Sequence, residues 1–180
     1  SAPTADYSVP QVQSPEASTM SKGKPRNTRN DLKSKARDAM VALLNRQLAD
    51  TFDLRAQVKH AHWHVKGPHF IALHELFDKL QADLEVPIDD IAERVTTLGG
   101  YARGTARLAI ASSRLAELPA RTDGLELVAA LADRYAALAQ TTRAAIDTAT
   151  AAGDADTADL FTGVSRGLDK ALWFLEAHLG

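Results

Sequence analysis

The sequence predicts an all-α protein: a four-helix bundle with a short extra helix in the long loop between helices 2 and 3. Four stretches carry apolar residues at intervals of three and four, the repeat of a helix with one buried face. No stretch shows the sustained apolar–polar alternation of a half-buried strand. Glycine- and proline-containing breaks separate the four stretches. Helices with one apolar face bury those faces against each other, which favours a bundle.

The first two predicted helices follow the N-terminal segment. The first runs from about residue 32 to about 64, with Asp31 as its N-cap and a Gly-Pro pair beyond its end. The second spans about 70–98 and stops at two consecutive glycines. Pro87 lies inside this second helix and cannot donate a hydrogen bond back to Asp83, so we expect a kink there.

The long connection and the last two helices complete the bundle. The connection has about 20 residues, long enough to need structure of its own, and 105–112 is a candidate short helix. The third helix begins near 122–124 and runs to about Thr150 in alanine-rich sequence. A turn at 153–156 follows, and Asp156 is the expected cap of a fourth helix that reaches about Leu179.

Composition places this bundle in a domain of residues 31–180, preceded by a flexible, basic tail of residues 1–30 rich in Pro, Ser, Thr and Gly. The chain has 180 residues and no cysteine, which excludes disulfides, zinc–thiolate sites and iron–sulfur clusters. It contains neither a long apolar run nor the apolar core of a signal peptide, so the expected location is the cytoplasm.

Positive charge is concentrated near the N-terminus although the chain carries a net charge of -2. Residues 21–37 hold seven basic residues against one acidic residue, a local charge of +6 on an acidic body. Flexible cations of this kind bind DNA phosphates without reading bases, or simply solubilise the chain. The DNA-binding candidates are Lys22, Lys24, Arg26, Arg29, Lys33 and Lys35.

Five side chains able to bind a metal lie close together: His62, His74, Asp78, Asp89 and Glu93. Imidazole together with carboxylate suits iron, zinc or manganese. The last four form two pairs with a spacing of four residues, and at about 100° per residue they share one stripe of a helix. Taken singly, each pair is more simply a solvated surface feature. Together, with His62 approaching across the helix hairpin, they favour a metal site.

One helix cannot close this site by itself. Asp78 and Asp89 are separated by eleven residues, or roughly 16 Å along a helix. An antiparallel second copy, related by a two-fold axis near Asp83 and Leu84, would bring the Asp89 pair of one chain against the His74 pair of the other. The sequence therefore predicts a site shared between subunits.

The other histidines do not offer the usual alternative. None of the six has a glutamate three residues before it, so the Glu-x-x-His motif of a site within one bundle is absent. His60 and His64 are four residues apart and could chelate a metal on the surface. Exposed, solvated histidines are the simpler interpretation of that pair.

Several segments resemble the Dps family (DNA-binding protein from starved cells), the miniferritins of the ferritin-like superfamily. The most specific match is His-Trp followed by His-x-x-x-Asp and Asp-x-x-x-Glu, and the resemblance extends from about residue 28 to the end of the sequence. The matching segments are TRNDL at 28–32, LLNRQLADTFDL at 43–54, KHAHWHVKGPHFIALHELFDKL at 59–80, IDDIAERVTTLGGYARGT at 88–105, LADRYAALAQTTRAAI at 131–146 and DTADLFTGVSRGLDKALWFLEAHL at 156–179.

The resemblance implies a function. Such proteins are hollow homododecamers of ferritin-like bundles that oxidise ferrous iron at two-fold interfaces, preferably with hydrogen peroxide rather than dioxygen, and store ferric mineral. It implies that His62, His74 and Asp78 act with Asp89 and Glu93 of a partner. It also implies radical quenching by Trp63 and Trp173 and iron-entry pores lined by Asp154, Asp156 and Asp159.

Two other functions remain open at this point. One is an architectural, nucleoid-associated protein that compacts DNA and binds metal only incidentally. The other is a shell that sequesters zinc or manganese. DNA retardation after removal of residues 1–30 separates the first from a ferroxidase, and metal analysis of purified protein tests the second.

Overall fold

The computed structural model describes residues 23–180, which fold into six α-helices. The bundle consists of four long helical segments, called rods here. The first, fifth and sixth helices form one rod each, and the second and third helices together form the remaining one. The fourth is the short helix in the long connection, so the predicted architecture is confirmed. Within the described residues no helix is long and apolar enough to cross a membrane. The helices are α1 (Ser34–His64), α2 (Phe70–Asp83), α3 (Glu85–Thr97), α4 (Ala106–Ser112), α5 (Gly124–Ala151) and α6 (Ala155–Glu176).

The core consists of two adjoining apolar clusters along the bundle. One surrounds Leu54, Phe77 and Tyr135, where α1, α2, α5 and α6 meet. The other surrounds Leu44 and Phe161 and includes buried side chains of α3, the second half of the second rod. Burial of these side chains supplies the main driving force for folding. The second rod thus contributes to both clusters, which fixes its orientation in the bundle.

The second predicted helix is divided in two at Leu84, one turn before the expected kink. The division places Pro87 in the first turn of α3, where amides have no helical partner, so its missing N–H leaves no helical bond broken. The Ile88 amide still donates to the Leu84 carbonyl at 3.2 Å. Helical hydrogen bonding therefore resumes directly after the break.

The buried stripe of this rod keeps its helical register across the break. Its fully buried members are spaced by three, four and seven residues on both sides of the division: Leu73, Phe77, Leu80, Leu84, Ile91 and Val95. Because these residues all face the core, the residues of the opposite stripe still share one outward face. The break does not rotate one half of the rod away from the other.

Two predicted caps are wrong. Asp31 does not cap α1, which begins at Ser34 without a side-chain cap, while Asn30 accepts a bond from the Leu32 amide at 3.0 Å and forms a local turn before it. Asp156 does not cap α6 either. Asp154 does, since its carboxylate accepts from the Thr157 amide at 3.1 Å.

Part of the predicted tail lies against the bundle. The Arg26 amide donates to the Gly99 carbonyl at 2.8 Å, and its guanidinium donates to the Thr96 carbonyl at 3.2 Å. Gly23 packs against the ring of Tyr101, where no side chain would fit. Residues 23–30 are therefore fastened to the end of α3 and the loop that follows it.

Arg94 joins the end of α3 to the start of α6. Its guanidinium donates to Asp154 at 2.7 Å and to the Thr157 hydroxyl at 3.0 Å, and Asp154 is only 2% exposed. Removing the arginine would leave a buried carboxylate without its countercharge, which typically costs several kcal/mol.

We therefore expect Arg94→Leu to lower the free energy of unfolding by about 3 kcal/mol. Denaturant titration at fixed protein concentration measures this loss. The matched control is Arg143→Leu, which breaks an exposed ion pair with Asp169 and should change stability by less than about 1 kcal/mol. Equal losses in the two variants would refute a special structural role for Arg94.

Candidate metal centre

His62 and His74 face each other across the hairpin between α1 and α2. Their rings stack with centroids 3.7 Å apart and planes inclined by 22°. The Nδ1 atom of His62 lies 2.8 Å from the backbone carbonyl oxygen of His74, and Nδ1 of His74 lies 2.9 Å from that of His62. The two histidines therefore hold each other by reciprocal bonds to the main chain.

These bonds determine which ring nitrogen is available. A carbonyl oxygen can only accept, so each Nδ1 must carry the proton and donate it. In the neutral ring the lone pair then lies on Nε2, as in metal-binding histidines whose other nitrogen is held by a backbone carbonyl. Both rings are half-buried, which limits their rotation. The hairpin thus presents two oriented nitrogen donors side by side.

Asp78 lies one helical turn beyond His74 and is exposed. Lys59 of α1 donates a hydrogen bond to its Oδ1 atom at 2.6 Å. This bond, more than the electrostatic influence of Lys59, His62 and His74, holds the pKa of the Asp78 carboxyl below its usual range, although desolvation acts against it. The carboxylate is therefore ionised and available as an anionic ligand, and a cation binding there would compete with the lysine.

Asp89 and Glu93 form the second half of the predicted site on α3. Both side chains are exposed and one helical turn apart. Within residues 23–180 neither carboxylate has a hydrogen-bond or ion-pair partner. Two unpartnered carboxylates on one face repel each other, and a divalent cation relieves this repulsion.

One chain does not assemble these ligands into a complete site. Among residues 23–180, no three histidine or carboxylate side chains converge as a metal-binding group. The hairpin supplies two nitrogens with Asp78 close to them, and α3 supplies two carboxylates farther along the rod. Ile71 and Val86, 62% and 63% exposed, flank this same outward face.

Sequence reasoning missed two features of the centre. The Lys59–Asp78 ion pair depends on how α1 and α2 pack, because the two residues are 19 positions apart. The reciprocal carbonyl bonds depend on the exact length of the turn between His62 and His74. Only the position of Lys59, on the same helix as His62 and three residues before it, gave any sequence signal.

The remaining predicted residues differ in their surroundings. Trp63 and Trp173 are exposed, and Trp173 contacts the Phe174 ring at 5.0 Å between centroids. Asp156 and Asp159 are also exposed. Asp154 is buried, caps α6 and is bound to Arg94 and Thr157.

The basic segment is only partly described. Lys22 lies outside the described residues. In residues 23–180, no other side chain pairs with the exposed cations Lys24, Arg29, Lys33 and Lys35, whereas Arg26 is exposed but fastened to α3.

Comparison with known proteins agrees with this architecture. Residues 41–180 match the family model described as a ferritin-like domain. The DNA protection during starvation protein of Agrobacterium fabrum is 45% identical over 159 residues, which cover 87% of this chain and 97% of the relative.

Solved structures agree as well. DpsA14 from Streptomyces coelicolor superposes with a TM-score of 0.82 at 34% identity, over 88% of this chain and 95% of that one. The Dps protein from Vibrio cholerae O1, described as a member of a broad superfamily of ferritin-like diiron-carboxylate proteins, has a TM-score of 0.80 at 26% identity, over 89% of this chain and 100% of that one. The chain therefore belongs to the ferritin-like proteins and, among them, to the Dps family.

Proposed function

We propose that this protein is a ferroxidase and iron store that oxidises ferrous iron at sites shared between two subunits and thereby protects DNA. The observation that carries the proposal is the pair of oriented imidazoles, His62 and His74, whose Nε2 lone pairs are left available by reciprocal Nδ1 bonds. Asp78 adds an ionised carboxylate beside them. Nitrogen and carboxylate donors together suit iron.

A second copy supplies the rest of the site in this proposal. Antiparallel pairing of the α2–α3 rods about a two-fold axis brings Asp89 and Glu93 of one copy to the hairpin of the other, and the same operation creates an equivalent second site. Twelve such chains form the hollow shell that holds the ferric product. Asp156 and Asp159 are candidates for guiding cations into it, and Trp63 and Trp173 for scavenging radicals.

The oxidation consists of iron binding by the side chains and electron transfer from the iron to peroxide. Imidazole nitrogens and carboxylates bind the ferrous substrate and leave positions open for oxidant. Two ferrous ions each give one electron to one hydrogen peroxide, whose O–O bond breaks and which takes up two protons to leave two waters. Because both electrons reach the same peroxide, no hydroxyl radical is released.

Electron balance gives a direct test of this function. Anaerobic titration of the purified protein with ferrous iron and hydrogen peroxide should consume two ferrous ions per peroxide, and a spin trap should detect no hydroxyl radical. Trapped hydroxyl radical, as formed when peroxide meets ferrous iron in free solution, would contradict the ferroxidase proposal.

The basic N-terminal segment supports a second activity, sequence-independent DNA binding. Lys24, Arg29, Lys33 and Lys35 are exposed cations without intramolecular partners in the described structure, and Lys33 and Lys35 stand at the start of α1. Cations of this kind contact phosphates, and each contact contributes about one unit to the dependence of binding on salt.

Lys33→Glu with Lys35→Glu should therefore weaken DNA retardation at low salt and reduce the slope of log affinity against log salt by about two. The control is Arg143→Glu with Lys170→Glu, the same change in charge on exposed positions of α5 and α6. If both double variants weaken binding equally, the N-terminal segment is not the DNA-binding surface. If the parent protein does not retard DNA, DNA binding is excluded.

A further inference from the structure

A second histidine pair lies on the opposite side of α1 from the iron ligands. The rings of His60 and His64 stack with centroids 4.1 Å apart and planes inclined by 25°. On a helix of about 100° per residue they lie near 0° and 40°, and His62 lies near 200°. Both rings are exposed. This pair is therefore separate from the hairpin that holds His62 and His74.

The donor atoms of the pair are partly oriented. Nδ1 of His64 donates to the His60 carbonyl oxygen at 2.8 Å, so the lone pair of the neutral ring lies on Nε2 and faces outward. In the described part of the chain no carboxylate is hydrogen bonded or ion-paired to either ring. The pair thus offers two nitrogen donors without a competing anion.

The two rings lie close enough for one metal ion to contact both. Two nitrogens about 2.1 Å from a tetrahedral ion are about 3.4 Å apart, and closer still in a square-planar arrangement. The ring centroids lie 4.1 Å apart, so rotation of the two side chains has to bring their Nε2 atoms to this separation and turn both lone pairs toward one ion. Rotation of two exposed side chains permits this movement at low cost.

We propose that His60 and His64 chelate copper(II), and zinc(II) more weakly, at a surface site distinct from the iron centre. Donors that are only imidazole nitrogens favour copper over ferrous iron, in line with the general order of divalent affinities. The iron centre instead combines nitrogens with carboxylates. Water fills the other positions of the copper ion, and the site holds copper away from the ferrous substrate.

Copper titration of the purified protein tests this site. Calorimetry with copper(II) should give one bound ion more per chain for the parent protein than for the double variant His60→Gln/His64→Gln. The control His69→Gln/His178→Gln removes two exposed histidines that do not stack with another histidine in the described structure, and it should bind as much copper as the parent. Electron paramagnetic resonance should show two equivalent nitrogen ligands that the double variant loses.

Two further measurements separate this site from the iron centre. Each single variant should bind this copper roughly tenfold more weakly, because the second nitrogen no longer binds intramolecularly. The double variant should oxidise ferrous iron at the parental rate, which excludes a general loss of structure. An unchanged copper stoichiometry in His60→Gln/His64→Gln would overturn the proposal, whether or not the ferroxidase proposal holds.

Discussion

Replacing Asp89 and Glu93 together with alanine should slow peroxide-dependent ferrous oxidation by about 100-fold or more, because the proposed shared site then keeps only the candidate ligands of the hairpin. Both carboxylates are exposed and unpartnered in the described structure, so their loss should leave the fold intact. Stopped-flow measurement of the ferric absorbance gives the rate. The matched control is Asp90→Ala. Asp90 is exposed and next to Asp89 in the sequence, but it lies outside the helical stripe that the four candidate ligands of this rod share.

The outcome separates iron binding at this stripe from general attraction of cations to an acidic surface. If surface charge alone accounts for the oxidation, Asp90→Ala should slow it about as much as a single Asp89→Ala substitution. An unchanged rate in the double variant would exclude Asp89 and Glu93 from the site.

Val86→Glu should also abolish most of the fast oxidation, although it leaves all five proposed ligands in place. Val86 is exposed on the same face of the rod as the candidate ligands, and two-fold pairing of the rods would bury it. A charge buried there without a partner costs several kcal/mol, enough to separate the rods. Native mass measurement should show smaller assemblies as the rate falls.

Val86→Thr is the matched control, because it keeps the shape of the side chain and adds no charge. It should retain both the assembly and most of the oxidation rate. A Val86→Glu protein that still oxidises iron rapidly as a monomer would contradict a shared site.

The bundle was predictable from the sequence because its signals are local. Apolar spacing located all four rods. The stripe from Leu73 to Val95 stays buried on both sides of the break, so a buried face predicted from the sequence survives a break in the backbone. The position of the break was not predictable. Proline is tolerated in the first turn of a helix, so the chain starts a new helix just before Pro87 instead of kinking at it.

The two wrong caps arise where the sequence offers adjacent candidates. Asn30 and Asp31 are adjacent, and Asp154 and Asp156 flank one alanine, so each turn offers two residues able to bond a free amide. At α6 a tertiary contact makes the choice, because Arg94 neutralises Asp154 in a buried position, and the sequence gives no local sign of that partner. At α1 neither residue caps the helix, which begins at Ser34 without a side-chain cap.

The candidate centre was predictable in composition but not in geometry. The helical repeat identified the shared face of His74, Asp78, Asp89 and Glu93. It could not show that His62 and His74 orient each other through their carbonyl groups, since that depends on how two helices meet.

Subunit mixing tests the shared site most directly. One variant carries His62→Gln and His74→Gln, the other Asp89→Ala and Glu93→Ala, and each alone should be inactive. If the two are unfolded and reassembled together in equal amounts, half of the random two-fold pairs are mixed, and each mixed pair contains one intact site. The shared-site model thus predicts recovery of about a quarter of the parental oxidation rate. If reassembly of the parent restores its activity while the mixture stays inactive, the ligands do not come from two subunits.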